Sequence, residues 1–274
     1  MARRTLLIAV LAATAAGCGG SHAATPTTTT APPPPKPFRI VFPEGFTRLQ
    51  MALRVKVVAK IAEREKHKPV RISEAGYLAA SRSALVPCGF GRRTKLEGFL
   101  FPATYDFFRQ TTSRQLVQAQ LKAFCTYWRR VSLAYARSKN LTPYDVLTIA
   151  SMVEEEAAVP ADRPKIAAVI YNRLRLRMPL QIDATLRYGL HIPPTQSIRQ
   201  SQLASNNPYN TRKLFGLPPT PIGNPGLASI RAAAHPSRLG YLYYARIPKT
   251  NRHEFFESGS AYDAYLAAHG YGPH

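Results

Sequence analysis

Thr142-Pro143 at one end and Pro160 at the other fence off a single stretch of this sequence. Threonine is a good helix N-cap, proline is preorganised for the first helical position, and a proline further on cannot continue the ladder, so residues 143–158 are predicted to be one helix. At about 100° per residue, Val146, Ile149, Ala150, Val153 and Ala157 share a face, which Leu147 widens. A helix this apolar has to be packed on its face by other elements, which makes it the centre of a folded domain. The 45% of hydrophobic residues in the 274-residue chain is enough to build that domain.

The same helix carries Glu154-Glu155-Glu156 at its end. On the helical wheel Glu154 lies about 70° from the centre of the buried face, Glu156 about 90° away on the other flank, and Glu155 nearly opposite, toward solvent. Glu154 is thus the carboxylate set at the edge of the core. Partial burial, two acidic neighbours and the negative end of the helix dipole are each expected to favour its protonated form, which a general acid needs. A solvated acidic patch is the bland alternative. Against it stands the scarcity of acids, since the chain has only 15 Asp and Glu and three of them fall together here.

Around this helix the pattern is mixed. Phe38, Ile40 and Phe42 alternate as a strand, and Pro43-Glu44-Gly45 reads as a turn. A helix is predicted from Thr47 to about Lys66, with Leu49, Leu53, Val57, Ala59 and Ile61 as its stripe, and a short one from Ser73 to Ala84. Residues 96–105 read as an extended aromatic segment. Further helices are expected over 113–138 and, behind Asp162 as N-cap, over 163–177 with Ile166, Val169, Ile170 and Leu174 inward. Asn172 and Arg173 flank that face. A loop is expected over 178–185, leading to Tyr188-Gly189, and a rigid Pro/Gly-rich wall over 207–226. Strands at 241–247 and 254–256 and a final short helix complete an α+β chain. No Cys/His cluster has the spacing of a metal site, and no cofactor motif is visible.

Residues 1–18 read as a secretory leader, with Arg3 and Arg4 ahead of a short apolar run and Ala15-Ala16-Gly17-Cys18 at its end. Small residues before Cys18 suit a lipoprotein signal in which Cys18 is lipidated; an ordinary signal cut near Ala16, or an uncleaved anchor, are the other readings. Residues 19–37, with a Thr run and Pro32 to Pro35, have little to bury and are expected to form a disordered tether. The expectation is an extracytoplasmic protein anchored to the cell membrane. There Cys88 and Cys125 can form a disulfide or remain two buried thiols. The net charge of +22 favours polyanions, and the leader turns that away from nucleic acid toward acidic lipid or wall polymers.

Seven motifs then stand in one order: Glu97-Gly98-Phe99-Leu100-Phe101-Pro102-Ala103-Thr104-Tyr105, residues 150–156, Tyr171-Asn172-Arg173-Leu174, residues 178–185, Tyr209-Asn210-Thr211, the run from Gly216, and Tyr241-Leu242-Tyr243-Tyr244. Together they resemble the endolytic peptidoglycan transglycosylases of the MltG (YceG-like) type, over about Phe38 to the C-terminus. The resemblance implies a small LysM-like βαα subdomain at 38–95 and a mixed α+β catalytic domain at 96–274. It implies Glu154 as the catalytic residue and Glu156 as accessory. Glu97, Tyr105, Gln181, Asp183, Thr185, Asn210 and Asn224 form the implied accessory or substrate-binding set. Ile182, Ala184, Ala103 and Arg212 depart from the family's usual Ser, Pro, Asp and aromatic residue.

The activity so implied is non-hydrolytic cleavage of the β-1,4 bond between N-acetylmuramic acid and N-acetylglucosamine in nascent glycan strands, closing a 1,6-anhydro ring without metal or organic cofactor. It also implies peptidoglycan synthases as partners. Two rivals remain: a hydrolytic muramidase in which Glu156 or Asp183 activates water, and a non-catalytic wall-binding lipoprotein.

Overall fold

The first strand, β1 (Phe38–Val41), pairs antiparallel with β4 (Thr104–Phe107), Phe38 opposite Phe107 and Val41 opposite Thr104. The chain therefore returns after about sixty residues to close a ribbon with its own beginning, and the segments on either side of residue 96 share that sheet and one core. The computed structural model describes residues 36–270 apart from 83, 87 and 94, and Lys36–His274 form one compact unit. The leader, Cys18 and nearly all of the Thr/Pro-rich segment lie outside the described residues.

Between β1 and β4 run α1 (Arg48–Lys66), α2 (Glu74–Ala80) and the small hairpin β2 (Ala84–Val86) with β3 (Gly91–Arg93). Thr47 opens α1 with a reciprocal capping box: its hydroxyl accepts the Gln50 N–H while the Gln50 side chain accepts the Thr47 N–H. Of the stripe read from the sequence only Ala59 faces inward. Leu49, Leu53, Val57 and Ile61 are exposed, and the helix buries Met51, Ala52, Val55, Ala59 and Ala62. The smaller side chains lie inward because they let α1 approach α2 and β1 closely.

The helix predicted over 113–138 is two: α3 (Ser113–Trp128) and α4 (Ala134–Ser138). The break lets Trp128, Val131 and Leu133 all reach the core, which a continuous helix would have distributed around its circumference. Cys125 of α3 is joined to Cys88 of the β2–β3 turn by a disulfide, settling the question the sequence left open. Phe90, Phe99, Phe124 and Trp128 pack ring against ring beside it.

Helix α5 (Pro143–Glu156) has the Thr142 capping box, completed by Asp145, and every residue from Val146 to Val153 is buried. It is wrapped by α6 (Arg163–Arg175) and α9 (Leu227–Ala234), with α7 (Asp183–Leu190) touching one side. Its two polar core residues are satisfied: Thr148 donates to Tyr144 O, and Ser151 donates to Thr148 O while accepting the Ile222 N–H at 3.0 Å. The short α8 (Gln200–Leu203), the antiparallel pair β5 (Tyr243–Arg246) and β6 (His253–Phe256), and α10 (Gly259–Ala268) complete a mixed α+β fold of small two-stranded sheets around helices.

One local reading is corrected and another refined. The loop expected over 178–185 turns helical at Asp183 and runs as α7 to Leu190, with Thr185 and Leu186 buried. Asp162 is the N-cap residue of α6 as expected, but it makes no side-chain capping bond; it ends a 3₁₀ turn (Pro160–Asp162), and its buried carboxylate accepts the His253 N–H at 3.0 Å and faces His253 Nδ1 at 3.1 Å. That contact ties α6 to β6, a long-range demand that the local N-cap pattern does not reveal.

Candidate functional site

The C-terminal end of α5 meets three segments: the 43–46 turn, the 221–226 loop that runs into α9, and the start of α6. Main-chain bonds knit the first two together, Gly45 N–H to Asn224 O at 2.9 Å and Asn224 N–H to Phe46 O at 3.1 Å. Pro221 packs over Gly98, a positive-φ glycine at which a side chain would collide with the proline ring. These contacts gather residues far apart in sequence around the Glu154–Glu156 triplet.

Glu154 is held at both oxygens. Gly226 donates its backbone N–H to Oε2 at 2.9 Å, and Arg163 Nη2 lies 3.6 Å from Oε1, with only 15% of the Arg163 side chain and 8% of the Glu154 side chain exposed. Arg163 is fixed in turn by a bond from its Nε to Ser229 Oγ at 3.1 Å. Gly226 is the N-cap of α9, so its amide sits at the positive end of that helix. The sequence reading placed only negative neighbours around Glu154; a guanidinium and an amide meet it as well.

Glu44, which the sequence reading treated as part of a turn, brings a fourth carboxylate. Its head lies over Gly226, in the space that a Cβ there would fill. Burial first, then the charge of Glu154, raise its pKa, opposed by Arg163. Much of the Glu155 side chain is open to solvent, but its carboxylate rests against Gly45 and Gly223. Burial of that head, then Glu154, Glu156 and Glu97, push it up to about 7. Glu155 is thus exposed, as its wheel position predicts, while its carboxylate bends back against the 43–46 turn.

Glu156 turns to the opposite flank. Tyr244 of β5 donates its hydroxyl to Oε2 at 3.1 Å, and burial pushes Glu156 up to about 7, with Asp183 adding to the effect and Arg212 opposing it. Asp183 accepts Arg212 Nε at 2.7 Å. The arginine that departs from the family's usual aromatic thus neutralises one of the implied binding acids.

Glu97 forms a third cluster. It is buried, accepts the Arg48 N–H at 2.9 Å and Asn224 Nδ2 at 2.8 Å on one oxygen, and the Tyr188 hydroxyl at 3.1 Å on the other. Burial still outweighs those donors and pushes it up to about 7. Asn224, fully buried, also accepts the Leu100 N–H and donates to Phe46 O, so it braces the floor of the site. Tyr105 donates to Phe101 O at 2.8 Å.

The remaining members of the implied set hold the backbone. Gln181 Oε1 accepts Arg173 Nη1 at 3.2 Å, and Gln181 N–H bonds to Thr211 O. Thr185 is buried, donating to Ile182 O and facing Thr211 Oγ1 at 3.0 Å. Asn210 is buried and donates to Leu203 O and Ser205 O. Arg173 reaches Leu242 O, Pro179 O and Leu180 O, while Asn172 reaches Leu239 O and Tyr241 O. The structure therefore brings Glu44, Glu154 and Glu155 together at the end of α5, leaves Glu156 on the opposite flank and Glu97 in a separate buried cluster, and uses Asn224, Thr185 and Asn210 to hold the surrounding backbone.

A cavity of about 450 Å³ lined by Tyr135, Lys139, Asp145 and Tyr171 opens near the start of α5, about 14 Å along the helix from Glu154. Among the described residues no group of three or more His, Cys, Asp or Glu side chains is arranged to hold a metal ion. Nor is any described helix long and apolar enough to cross a membrane.

Glu44, Arg163 and Gly226 escaped the sequence reading because each looks like punctuation locally: a turn residue, a helix start, a loop glycine. Their only signal was that each sits at the edge of a named motif or turn.

Comparison with known proteins agrees with this architecture. The model of the YceG-like family matches residues 23–268. An endolytic murein transglycosylase of Bacillus subtilis is 39% identical over 181 residues, 63% of this chain and 49% of that protein; one from Streptococcus pneumoniae R6 is 35% identical over 185 residues, 65% of this chain and 33% of that protein. The chain thus spans about half or less of the length of these relatives. The crystal structure of a yceG-like protein from Listeria monocytogenes superposes with a TM-score of 0.68 at 29% identity, covering 84% of this chain and 76% of that one. The chain belongs to the YceG-like family.

Proposed function

We propose that this chain is an endolytic lytic transglycosylase that cuts the β-1,4 bond between N-acetylmuramic acid and N-acetylglucosamine in nascent peptidoglycan, outside the cytoplasm, and so terminates glycan strands. The observation that carries the reading is the placement of Glu154: nearly covered, fixed at both oxygens, and set beside Glu155, which is pushed up to about 7, and Glu44, whose pKa burial raises. The names of the relatives point the same way.

In this reaction Glu154, as the acid, gives its proton to the glycosidic oxygen as the C1–O bond breaks. As the carboxylate it then takes the proton of the muramic 6-hydroxyl, whose oxygen attacks C1 and closes the anhydro ring. One residue serves both steps because the nucleophile belongs to the substrate, and the proton count balances over the turn. Burial and then the charge of Glu154 raise the pKa of both Glu44 and Glu155, so these neighbours hold protons more readily than free carboxylates do. Arg163 and the Gly226 amide orient the carboxylate for the second step. Glu97 and Asn224 keep the 43–46 turn and the 221–226 loop in register, and are positioning residues in this account.

The expected division of labour, 38–95 as a LysM-like glycan-holding part and 96–274 as the catalytic part, belongs to this proposal, as do membrane attachment through the N-terminal segment and work beside peptidoglycan synthases. The hydrolytic rival needs a second free carboxylate. Asp183 is ion-paired to Arg212 and Glu156 is bonded to Tyr244, which disfavours both for activating water. Analysis of the ends released from purified peptidoglycan tests the reading: anhydromuramic ends support it, reducing muramic ends favour hydrolysis, and binding without fragments favours a wall-binding lipoprotein.

A further inference from the structure

Helix α1 carries aliphatic side chains on two arcs, and the fold covers only one. Leu49, Leu53, Val57 and Ile61 recur every four residues along the outer arc, and are 47%, 51%, 52% and 47% exposed. Val41, 46% exposed, lies alongside, its carbonyl accepting Arg54 Nε at 3.1 Å. Scattered exposed aliphatics are ordinary, but a row about 18 Å long on one helix is not.

The charges on the same arc have one sign. At 100° per residue Lys60 and Arg64 fall between the aliphatics, and Lys56 and Arg54 fall at its edges; all four are exposed. Lys56 is ion-paired to Glu74 at 2.9 Å, and the helix's own acids, Glu63, which accepts the Val70 N–H, and the exposed Glu65, lie at the two margins of the arc. An aliphatic row interleaved with cations matches a surface that is apolar beneath and anionic on top, as the headgroup region of an acidic bilayer is. An anionic polymer would engage the cations and leave the aliphatics in water. Residues 19–37, expected from the sequence to be a tether, lead into β1, the strand that contains Val41, so attachment through the N-terminal segment would place the membrane on the side of the chain where this face begins.

We propose that the outer face of α1 docks on an anionic lipid surface, setting the orientation of the acidic site relative to the membrane. The proposal does not depend on the chemistry assigned to Glu154.

The test is co-sedimentation of the compact unit from Lys36 onward, which holds the whole described core, with phosphatidylcholine vesicles with and without phosphatidylglycerol. Binding to the anionic vesicles that weakens with salt is expected. Leu53→Gln with Val57→Gln, both at exposed positions, should weaken it by about tenfold or more while leaving the melting temperature unchanged. Lys60→Glu with Arg64→Glu should do likewise. Failure to bind either vesicle overturns the proposal. So does unchanged binding by the aliphatic variant when the charge variant loses it, which would assign binding to general attraction alone. A solution dimer that the aliphatic variant dissolves would give the face to a second copy instead.

Discussion

Gly226 donates its N–H to Glu154 Oε2 at 2.9 Å, and the carboxylate of Glu44 occupies the space above its α-carbon. One residue without a side chain thus lets two carboxylates converge at the start of α9. Its backbone, at φ −74 and ψ 170, is open to any residue, so the glycine is required by the neighbours and not by the conformation.

Gly226→Ala is therefore expected to fold normally and to displace Glu44. Activity on peptidoglycan should fall by about tenfold or more, with a melting temperature close to wild type; an alanine variant of full activity would show that Glu44 is a bystander.

Glu44→Gln removes one negative charge from the cluster and one group that shares its proton. Because burial and then the charge of Glu154 raise the pKa of Glu44, the variant removes a carboxyl group that titrates beside the catalytic position, and the shape of the pH–rate profile should change. A profile superimposable on wild type would remove Glu44 from the account.

Much of this site was legible in the sequence and its counter-charges were not. The Thr142 capping box, Pro143 and Pro160 mark α5 because capping is local, and the apolar spacing of the helix sets Glu154 at the core edge. The disulfide, the Asp162–His253 contact and the Arg163 guanidinium arise from segments brought together only by folding, so no local pattern announces them. Helix α1 shows the opposite failure. Its sequence offers two apolar arcs, and which one faces inward depends on the closeness of approach to α2 and β1, a tertiary choice that favours Ala52, Ala59 and Ala62 over the larger aliphatics.

Burial of Glu97 makes stability depend on pH in a definite direction. Its folded pKa of about 7 lies above the ordinary 4.5, so the folded state holds the proton more tightly than the unfolded chain. The cost of ionising it in the folded state is absent below about 4.5 and fully present above about 7, so stability should fall as pH rises through that window. Glu97→Gln, which keeps an acceptor for Arg48 N–H and Asn224, should flatten that slope and gain about 2 kcal/mol relative to wild type on the alkaline side. Glu97→Ala strands both donors and should lose stability at every pH. Thermal melts across the window decide, and an unchanged slope in the glutamine variant would contradict the assignment.

The Cys88–Cys125 disulfide closes a loop of 37 residues. Replacing both cysteines by serine should cost about 3–4 kcal/mol by loop entropy, read as a lower denaturant midpoint, with catalysis retained under native conditions. A loss of activity without loss of stability would mean that the β2–β3 hairpin serves the site directly.

The central claim is that Glu154 moves the proton in a ring-closing cleavage. Mass spectrometry of peptidoglycan digested by the protein and by Glu154→Gln tests it most directly. The account predicts 1,6-anhydromuramic ends from the wild type and none from a variant whose melting temperature is unchanged; anhydro ends from the variant at the wild-type rate, or reducing ends from the wild type, would contradict it.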